Sequence, residues 1–159
     1  MKSHGFTFIE VIVVMGVMAT FLGIGVISLV GSQRKASVTQ AVDTLVSDLR
    51  SQQTKAMVGA TVGGMVPAGY GIYFQANRYV LFSGASYNSL DPSNASVPIL
   101  SPLTISTIGF SGSAVIFLAK SGEVAGFTSG ADSVAVRQND SGQTKTIRLN
   151  RYGVVTSIN

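Results

Sequence analysis

The sequence predicts an α+β protein in which a long N-terminal helix packs on a C-terminal antiparallel β-sheet globule. Three observations predict this fold. No ionisable side chain occurs from Val11 through Gln33. Apolar residues then recur at helical spacing as far as Val58, and the remaining chain has short β-branched runs separated by turn residues. The length of 159 residues fits one domain with an appended segment.

Composition excludes several classes of protein. Apolar residues make up 46% of the chain and charged residues 11%, whereas intrinsic disorder requires low hydrophobicity and high charge. Cysteine is absent, which excludes disulfides, thiol nucleophiles and thiolate metal sites. The net charge of +4 is spread thinly along the sequence and does not by itself indicate a nucleic-acid binder.

The apolar segment from Phe6 to Gly31 contains one charge, Glu10. About 20 apolar residues cross a bilayer core as a helix, so we predict a transmembrane helix over residues 6–33. A buried helix of a globular domain is the alternative, but such helices are usually shorter and amphipathic. The segment is too long for the apolar core of a secretory signal. A carboxylate at the edge of a hydrocarbon segment is costly, which makes Glu10 a candidate functional residue.

The first ten residues, Met-Lys-Ser-His-Gly-Phe-Thr-Phe-Ile-Glu, resemble the class III signal of type IV prepilins and type II secretion pseudopilins. In that family a short polar leader ends in Gly, Phe usually follows, and Glu is the fifth residue of the mature chain. Gly5, Phe6 and Glu10 occupy those places. The resemblance implies that residues 1–5 are a leader, that a prepilin peptidase cuts between Gly5 and Phe6, and that the new Phe6 amine is methylated.

The resemblance also implies a location and partners. The partners would be other pilin or pseudopilin subunits, an inner-membrane assembly platform, and membrane lipid before assembly. The chain would cross the cytoplasmic membrane once, with its globular domain outside the cytoplasm, and end in an extracellular or periplasmic filament. Cleavage leaves an amine that needs a partner in an apolar core, and Glu10 is one helical turn away. We hypothesise that Glu10 pairs with the Phe6 amine of a neighbouring subunit; an interfacial acid without a partner is the alternative.

Residues 34–60 predict an amphipathic continuation of the helix. Arg34 and Lys35 mark the water interface, where long basic side chains reach the headgroups. The predicted buried stripe is Val38, Ala41, Val42, Leu45, Val46 and Leu49. The helical pattern fades near Val58, and Gly63-Gly64 with Pro67 ends it.

Residues 61–159 predict a β-rich globular domain. Ile72–Phe74 and Tyr79–Phe82 read as a first hairpin, and a loop is predicted from Ser83 to Pro102. Further short strands are predicted at Ala114–Ala119, Glu123–Phe127, Val134–Arg137, Lys145–Leu149 and Val154–Ile158.

This downstream half loosely resembles GspH/FimT-type minor pilins and pseudopilins. The likeness lies in residues 115–117 followed by Gly122, and in residues 146–154, where a strand precedes a turn centred on Gly153. Two features of this chain differ from related pilins. The DNA-binding members have a closing Gly-Arg-x-Arg pattern, whereas residues 154–156 are Val-Val-Thr, and the C-terminal disulfide loop common in major pilins is impossible without cysteine.

We predict a structural subunit and no enzyme. Loss of the leader would remove His4, the one histidine, and general acid–base catalysis most often uses histidine. The carboxylates outside the anchor fall singly, mostly in turns where Asp is expected: Asp43, Asp48, Asp91, Glu123, Asp132 and Asp140. No metal-ligand cluster or phosphate-binding loop is recognisable, so neither a catalytic residue, a metal nor a cofactor is expected.

Two other functions remain open. A competence minor pilin for DNA uptake would contact phosphates through a basic C-terminal hairpin carrying Lys145, Arg148 and Arg151; an ordinary polar strand face is the alternative reading of those residues. A membrane-tethered β-domain that never polymerises is the third possibility. Shear distinguishes tethering from polymerisation, because filaments release their subunits into the medium.

Overall fold

A computed structural model describes residues 7–159, apart from the side chains of residues 23–35. The predicted leader, the cleavage position at Gly5 and Phe6, and the side chains of Arg34 and Lys35 lie outside the described residues. The chain divides into two compact units, Met1–Ala36 and Ser37–Asn159. The predicted α+β class is confirmed: the N-terminal helix is followed by two antiparallel sheets.

Helix α1 spans Phe8–Val58 and ends where the apolar pattern fades. Gly59 has a φ of +64°, a left-handed conformation that glycine adopts without a steric cost. The amide of Ala60 donates to the Lys55 carbonyl at 3.0 Å and the Gly59 amide donates to Ala56 at 3.2 Å. This pair of bonds is a Schellman motif, which satisfies the last carbonyls of the helix.

The predicted apolar stripe of the second half of α1 is buried in the second unit. Its fully buried members are Val38, Val42, Leu45, Val46 and Leu49, with Ala41 partly buried. Gln52 and Ala56 extend the buried face toward the helix end. Burial of this stripe stabilises the unit, because each Å² of apolar surface removed from water contributes roughly 25 cal/mol to the free energy of folding.

Eight strands in the described part of the chain form two four-stranded antiparallel sheets. Strands β1 (Gly69–Gln75), β2 (Arg78–Ser83), β3 (Ala95–Pro98) and β5 (Ala114–Leu118) form the first sheet, in the order β3-β2-β1-β5. Strands β4 (Leu103–Ile108), β6 (Ser133–Gln138), β7 (Thr144–Leu149) and β8 (Val155–Ile158) form the second, in the order β4-β6-β7-β8. One core joins α1 to inward-facing side chains of both sheets, including Ile72, Phe74, Phe117, Val134 and Ile147.

The structure corrects two assignments made from the sequence and adds one strand. The loop predicted from Ser83 to Pro102 contains strand β3, which pairs with β2. Strand β4 was not predicted, because Ser106 forms a bulge that interrupts its alternation. The strand predicted at Glu123–Phe127 is wrong: within it only Val124 forms a bridge, to Phe117, and Gly126 at a φ of +60° turns the chain away.

The segment between β2 and β3 covers the outer face of the first sheet. The ring of Tyr87 stacks on Tyr73 at 4.1 Å between centroids and meets Phe82 edge-on at 5.6 Å. Gly71 lies beneath the Phe82 ring, and a Cβ there would lie 2.5 Å from it. A glycine is therefore required in β1 for the aromatic cover to close on the sheet.

Candidate assembly site

The first half of α1 presents apolar side chains on every side. All described side chains from Thr7 through Leu22 are exposed. The large apolar ones are Phe8, Ile9, Val11, Ile12, Val13, Val14, Met15, Val17, Met18, Phe21 and Leu22. A helix that is apolar all round needs cover from lipid or from protein, because water solvates such a surface poorly.

The membrane prediction concerns the same segment. Within the part of the chain that the structure describes, no helix has an apolar stretch long enough to cross a bilayer. The segment predicted to span the membrane, residues 6–33, includes Phe6 and side chains beyond residue 22 that lie outside the described residues. The transmembrane helix therefore stays a prediction.

Glu10 and Thr7 form a reciprocal pair at the start of α1. The Thr7 amide and hydroxyl donate to Oε2 of Glu10 at 3.4 and 3.5 Å, and the Glu10 amide donates to the Thr7 hydroxyl at 3.4 Å. This is the pattern of a capping box, in which a hydroxyl before the helix and a carboxylate three residues later satisfy free amides. The bonds are long and both residues are exposed, so the carboxylate is held only weakly within its own chain.

Sequence reasoning identified Glu10 but missed Thr7. The signal was present, because Thr-x-x-Glu before an apolar run is the sequence form of a capping box. The carboxylate also suits this position electrostatically, since the N-terminus of a helix carries a partial positive charge.

The three basic residues of the predicted DNA contact do not share one face of a strand. Lys145 and Arg148 lie on β7, whose inward face carries the buried residues Ile147 and Leu149. Side chains alternate along a strand, so Lys145 shares the face of Ile147 and Leu149 and Arg148 lies on the opposite face. Arg151 lies beyond β7 in the turn before β8.

Acidic partners accompany both arginines of that set. Arg148 forms an ion pair with Asp132 at 2.9 Å, and Arg151 lies 3.9 Å from Glu123 and over the ring of Tyr152. These carboxylates lower the local positive charge that a phosphate backbone would require. The outer face of the second sheet, where Arg148 lies, also carries Arg137 on β6.

Gln53 connects α1 to the two turns that carry Gly122 and Gly153. Its side-chain amide donates to the carbonyl of Gly122 at 3.1 Å and to that of Tyr152 at 2.6 Å. Both glycines have a positive φ, and a Cβ on Gly153 would lie 2.5 Å from the Gln53 amide nitrogen. These glycines carried the resemblance to minor pilins in the sequence; their geometry ties the closing hairpin to the helix.

Comparison with known proteins addresses the N-terminus. Residues 1–26 match the family model described as the prokaryotic N-terminal methylation motif. No curated protein and no solved structure matches the chain. The class III signal recognised from Gly5, Phe6 and Glu10 is thereby confirmed.

The methylation motif supports one class of protein, and the fold is consistent with it. An N-terminal methylation motif, an apolar helix and an α+β globule with two antiparallel sheets support a type IV pilin-like or pseudopilin subunit. Such a motif indicates a structural subunit rather than an enzyme, and it implies processing by prepilin peptidase and assembly with other pilins. It also indicates a membrane-anchored pilin that ends in a filament. The narrower GspH/FimT subtype stays a prediction.

Proposed function

We propose that this chain is a minor pilin or pseudopilin, a structural subunit of a type IV pilus or of a type II secretion pseudopilus. Prepilin peptidase cuts it between Gly5 and Phe6 and methylates the new Phe6 amine. The observation that carries the proposal is the first part of α1, from Phe8 to Leu22, where the apolar side chains are exposed on all sides. Taken with the methylation motif on the same residues, this surface supports burial first in lipid and then among other subunits.

Two environments cover this helix in turn. In the cytoplasmic membrane, residues 6–33 form a single-pass anchor, with the globular unit outside the cytoplasm and the lipid chains around the helix. The inner-membrane assembly platform then transfers the subunit into the filament. There the same side chains pack against the helices of neighbouring subunits. Transfer of apolar surface from lipid to protein has little hydrophobic driving force, so close packing and polar contacts between helices favour the filament.

Glu10 and Phe6 supply that polar contact at the subunit junction. Glu10 already accepts from the amide of Thr7, the residue that directly follows the new N-terminus. The described bonds to its carboxylate are long and end on Oε2, which favours exchange for a stronger, charged donor. The methylated amine of Phe6 on a neighbouring subunit is such a donor, because charge-assisted hydrogen bonds are about twice as strong as neutral ones.

Exchange of Glu10 for leucine tests the proposal. Glu10→Leu keeps an apolar helix, so membrane insertion should be unchanged while incorporation into sheared filaments falls by roughly tenfold or more, the equivalent of about 1.4 kcal/mol. The matched control is Thr20→Val, because the Thr20 hydroxyl donates to carbonyls of its own helix, those of Gly16 and Val17. The control should be incorporated normally. Normal incorporation of the Glu10→Leu subunit would contradict the assigned role.

Two other functions receive less support. A tethered β-domain that never polymerises would stay with the cells after shear, whereas a filament subunit would appear in the medium. DNA uptake through Lys145, Arg148 and Arg151 is disfavoured by the opposite faces of Lys145 and Arg148 and by the ion pairs of both arginines. Salt-sensitive DNA binding by the chain, abolished by removal of Arg148 and Arg151 together, would restore DNA uptake as a candidate.

A further inference from the structure

The second unit has an exposed apolar tip at the end of α1. We define the tip as residues 57–66; its exposed apolar members are Met57, Val58, Val62, Met65 and Val66. Met65 is 76% exposed, and the sequence has no charged residue between Lys55 and Arg78. A cluster of exposed apolar side chains without charges marks an interaction surface. The proposed packing of the N-terminal helix does not account for this surface.

Hydrogen bonds within the chain fix the backbone of the tip. Val62 and Met65 exchange backbone hydrogen bonds of 2.8 and 3.2 Å, which closes a two-residue hairpin. Gly63 and Gly64 between them have φ values of +59° and +81°, as a type I′ turn requires. The Tyr70 hydroxyl donates to the carbonyl of Ala60 at 2.8 Å and fixes the base of the hairpin. Because the backbone is already fixed, docking of this tip loses little conformational entropy.

The same unit has an apolar groove at its other end. The groove lies between the helix residues Ala41 and Thr44 and the segment from Pro98 to Leu103, and its volume is about 290 Å³. Leu100 stands at its rim and is 74% exposed. An engineered apolar cavity of about 150 Å³ accepts benzene, so this groove has room for a methionine side chain and an apolar neighbour.

The tip cannot fill the groove of its own chain. Ala41 and Met57 are 16 positions apart on α1, which at 1.5 Å per residue separates the two features by about 24 Å along the helix. If the proposed function holds, every copy leaves the same membrane in the same orientation, so copies meet through two different surfaces. A contact of that kind does not close on itself and generates an open filament.

We propose that the tip of one subunit, led by Met65, docks in the groove beside Leu100 of a second copy of this chain. The inference rests on the proposed filament function in the form in which copies of this chain are neighbours in the filament, and it adds a head-to-tail contact between their globular units. Both surfaces are apolar and lack charges, both lie on one chain, and they lie at opposite ends of one unit. Methionine suits such a contact because its flexible thioether adapts to irregular grooves.

Paired cysteines test this contact, because the native chain has none. In the double variant Met65→Cys/Leu100→Cys, assembled in its native host and oxidised, tip and groove cysteines of adjacent copies should form disulfides. Each copy then carries one cysteine in its tip and one in its groove and can be linked to two neighbours. Denaturing gels without reductant should therefore show a ladder of dimers, trimers and higher oligomers. Each single variant can give at most dimers. The matched control Leu90→Cys/Leu100→Cys uses Leu90, which is 86% exposed and lies outside both surfaces, and should give no ladder.

A second variant measures the effect of the contact on assembly. Met65→Glu places a charge at the tip and should lower the yield of sheared filament several-fold, while Leu90→Glu should leave it unchanged. The contact is overturned if sheared filaments of the double cysteine variant form normally and show no ladder, or if Met65→Glu and Leu90→Glu give equal yields. Failure of prepilin peptidase to cleave the unsubstituted chain between Gly5 and Phe6 would instead overturn the proposed function, so the two failures are distinguishable.

Discussion

The phenol of Tyr79 donates a 2.6 Å hydrogen bond to the carboxylate of Asp48. Tyr79 lies at the start of β2 and Asp48 on α1, so the bond joins the first sheet to the helix. The tyrosine is 1% exposed, and a buried hydroxyl without a partner would cost free energy. Asp48, which the sequence pattern places off the apolar stripe, thus serves the packing of the helix.

Tyr79→Phe should lower the free energy of unfolding by about 1–2 kcal/mol. The change removes a hydrogen bond to a charged group, and the half-buried carboxylate of Asp48 loses its donor. Urea unfolding of the detergent-solubilised chain, followed by far-ultraviolet circular dichroism, measures the difference. Tyr87→Phe is the matched control, because it keeps the ring that stacks on Tyr73; an equal loss in both variants would contradict the role of the Asp48 bond.

The same bond predicts a loss of stability in alkali. Burial raises the pKa of Tyr79 in the folded state, and the hydrogen bond to Asp48 and the charge of Asp48 raise it further. The unfolded chain ionises this tyrosine near its ordinary pKa of about 10. Because the folded pKa is the higher one, Tyr79 contributes its full stabilisation below about pH 10. Above that pH the unfolded state releases the proton while the folded state keeps it, so the stabilisation falls. The stability difference between the native chain and Tyr79→Phe should therefore shrink from about pH 9 to about pH 11; a constant difference would refute the assignment.

Gln53→Ala should lower the free energy of unfolding by about 1–2 kcal/mol, since two carbonyls, those of Gly122 and Tyr152, lose their shared donor. Gln53→Glu should cost at least as much, because a carboxylate of the same shape accepts hydrogen bonds and does not donate them. Gln40→Ala, an exposed glutamine on the same helix, should change stability by less than about 0.5 kcal/mol. Equal stability of the Gln53→Ala and Gln40→Ala chains in thermal unfolding would contradict a stabilising role for the two Gln53 hydrogen bonds.

Gln52→Met should leave stability unchanged or raise it by up to about 1 kcal/mol. The Gln52 side chain is 2% exposed, its amide donates to Gly71 at 3.4 Å, and among the described residues nothing donates to its Oε1. An apolar side chain of similar length removes this buried acceptor at the cost of one long bond. Gln52→Glu, which buries a charge in the same place, should be strongly destabilising. A decrease of more than about 2 kcal/mol in the free energy of unfolding of Gln52→Met, measured by calorimetry, would contradict this prediction. It would indicate that the hydrogen bond to Gly71 stabilises the fold more than the unpaired Oε1 destabilises it.

Features with a regular apolar period were predictable from the sequence. The stripe from Val38 to Leu49 repeats every three or four residues, and the hairpin of β1 and β2 alternates around a two-residue turn. Strand β4 escaped prediction because its bulge puts Ile105 and Ile108 out of alternation. Strand β3 is short and largely exposed, so its sequence carries no apolar period, and it is defined only by pairing with β2.

The candidate site was predictable from the sequence where the interacting residues are close together in the chain. Glu10 is conspicuous as the one charge in an apolar segment, and its partner Thr7 lies three residues away. Long-range contacts had no such signal: Gln53 and Tyr152 are 99 positions apart. The grouping of Lys145 with Arg148 rested on closeness in sequence, whereas side-chain alternation in β7 places them on opposite faces.

The N-terminus of the protein isolated from its native host tests the central claim most directly. Mass spectrometry of the N-terminal peptide should find a chain that begins at N-methylated Phe6 when prepilin peptidase is present. In cells without the peptidase, the chain should begin at Met1 and be absent from sheared filaments. A chain that begins at Met1 in cells with an active peptidase would contradict the account, because Glu10 would then have no mature terminal amine to bind.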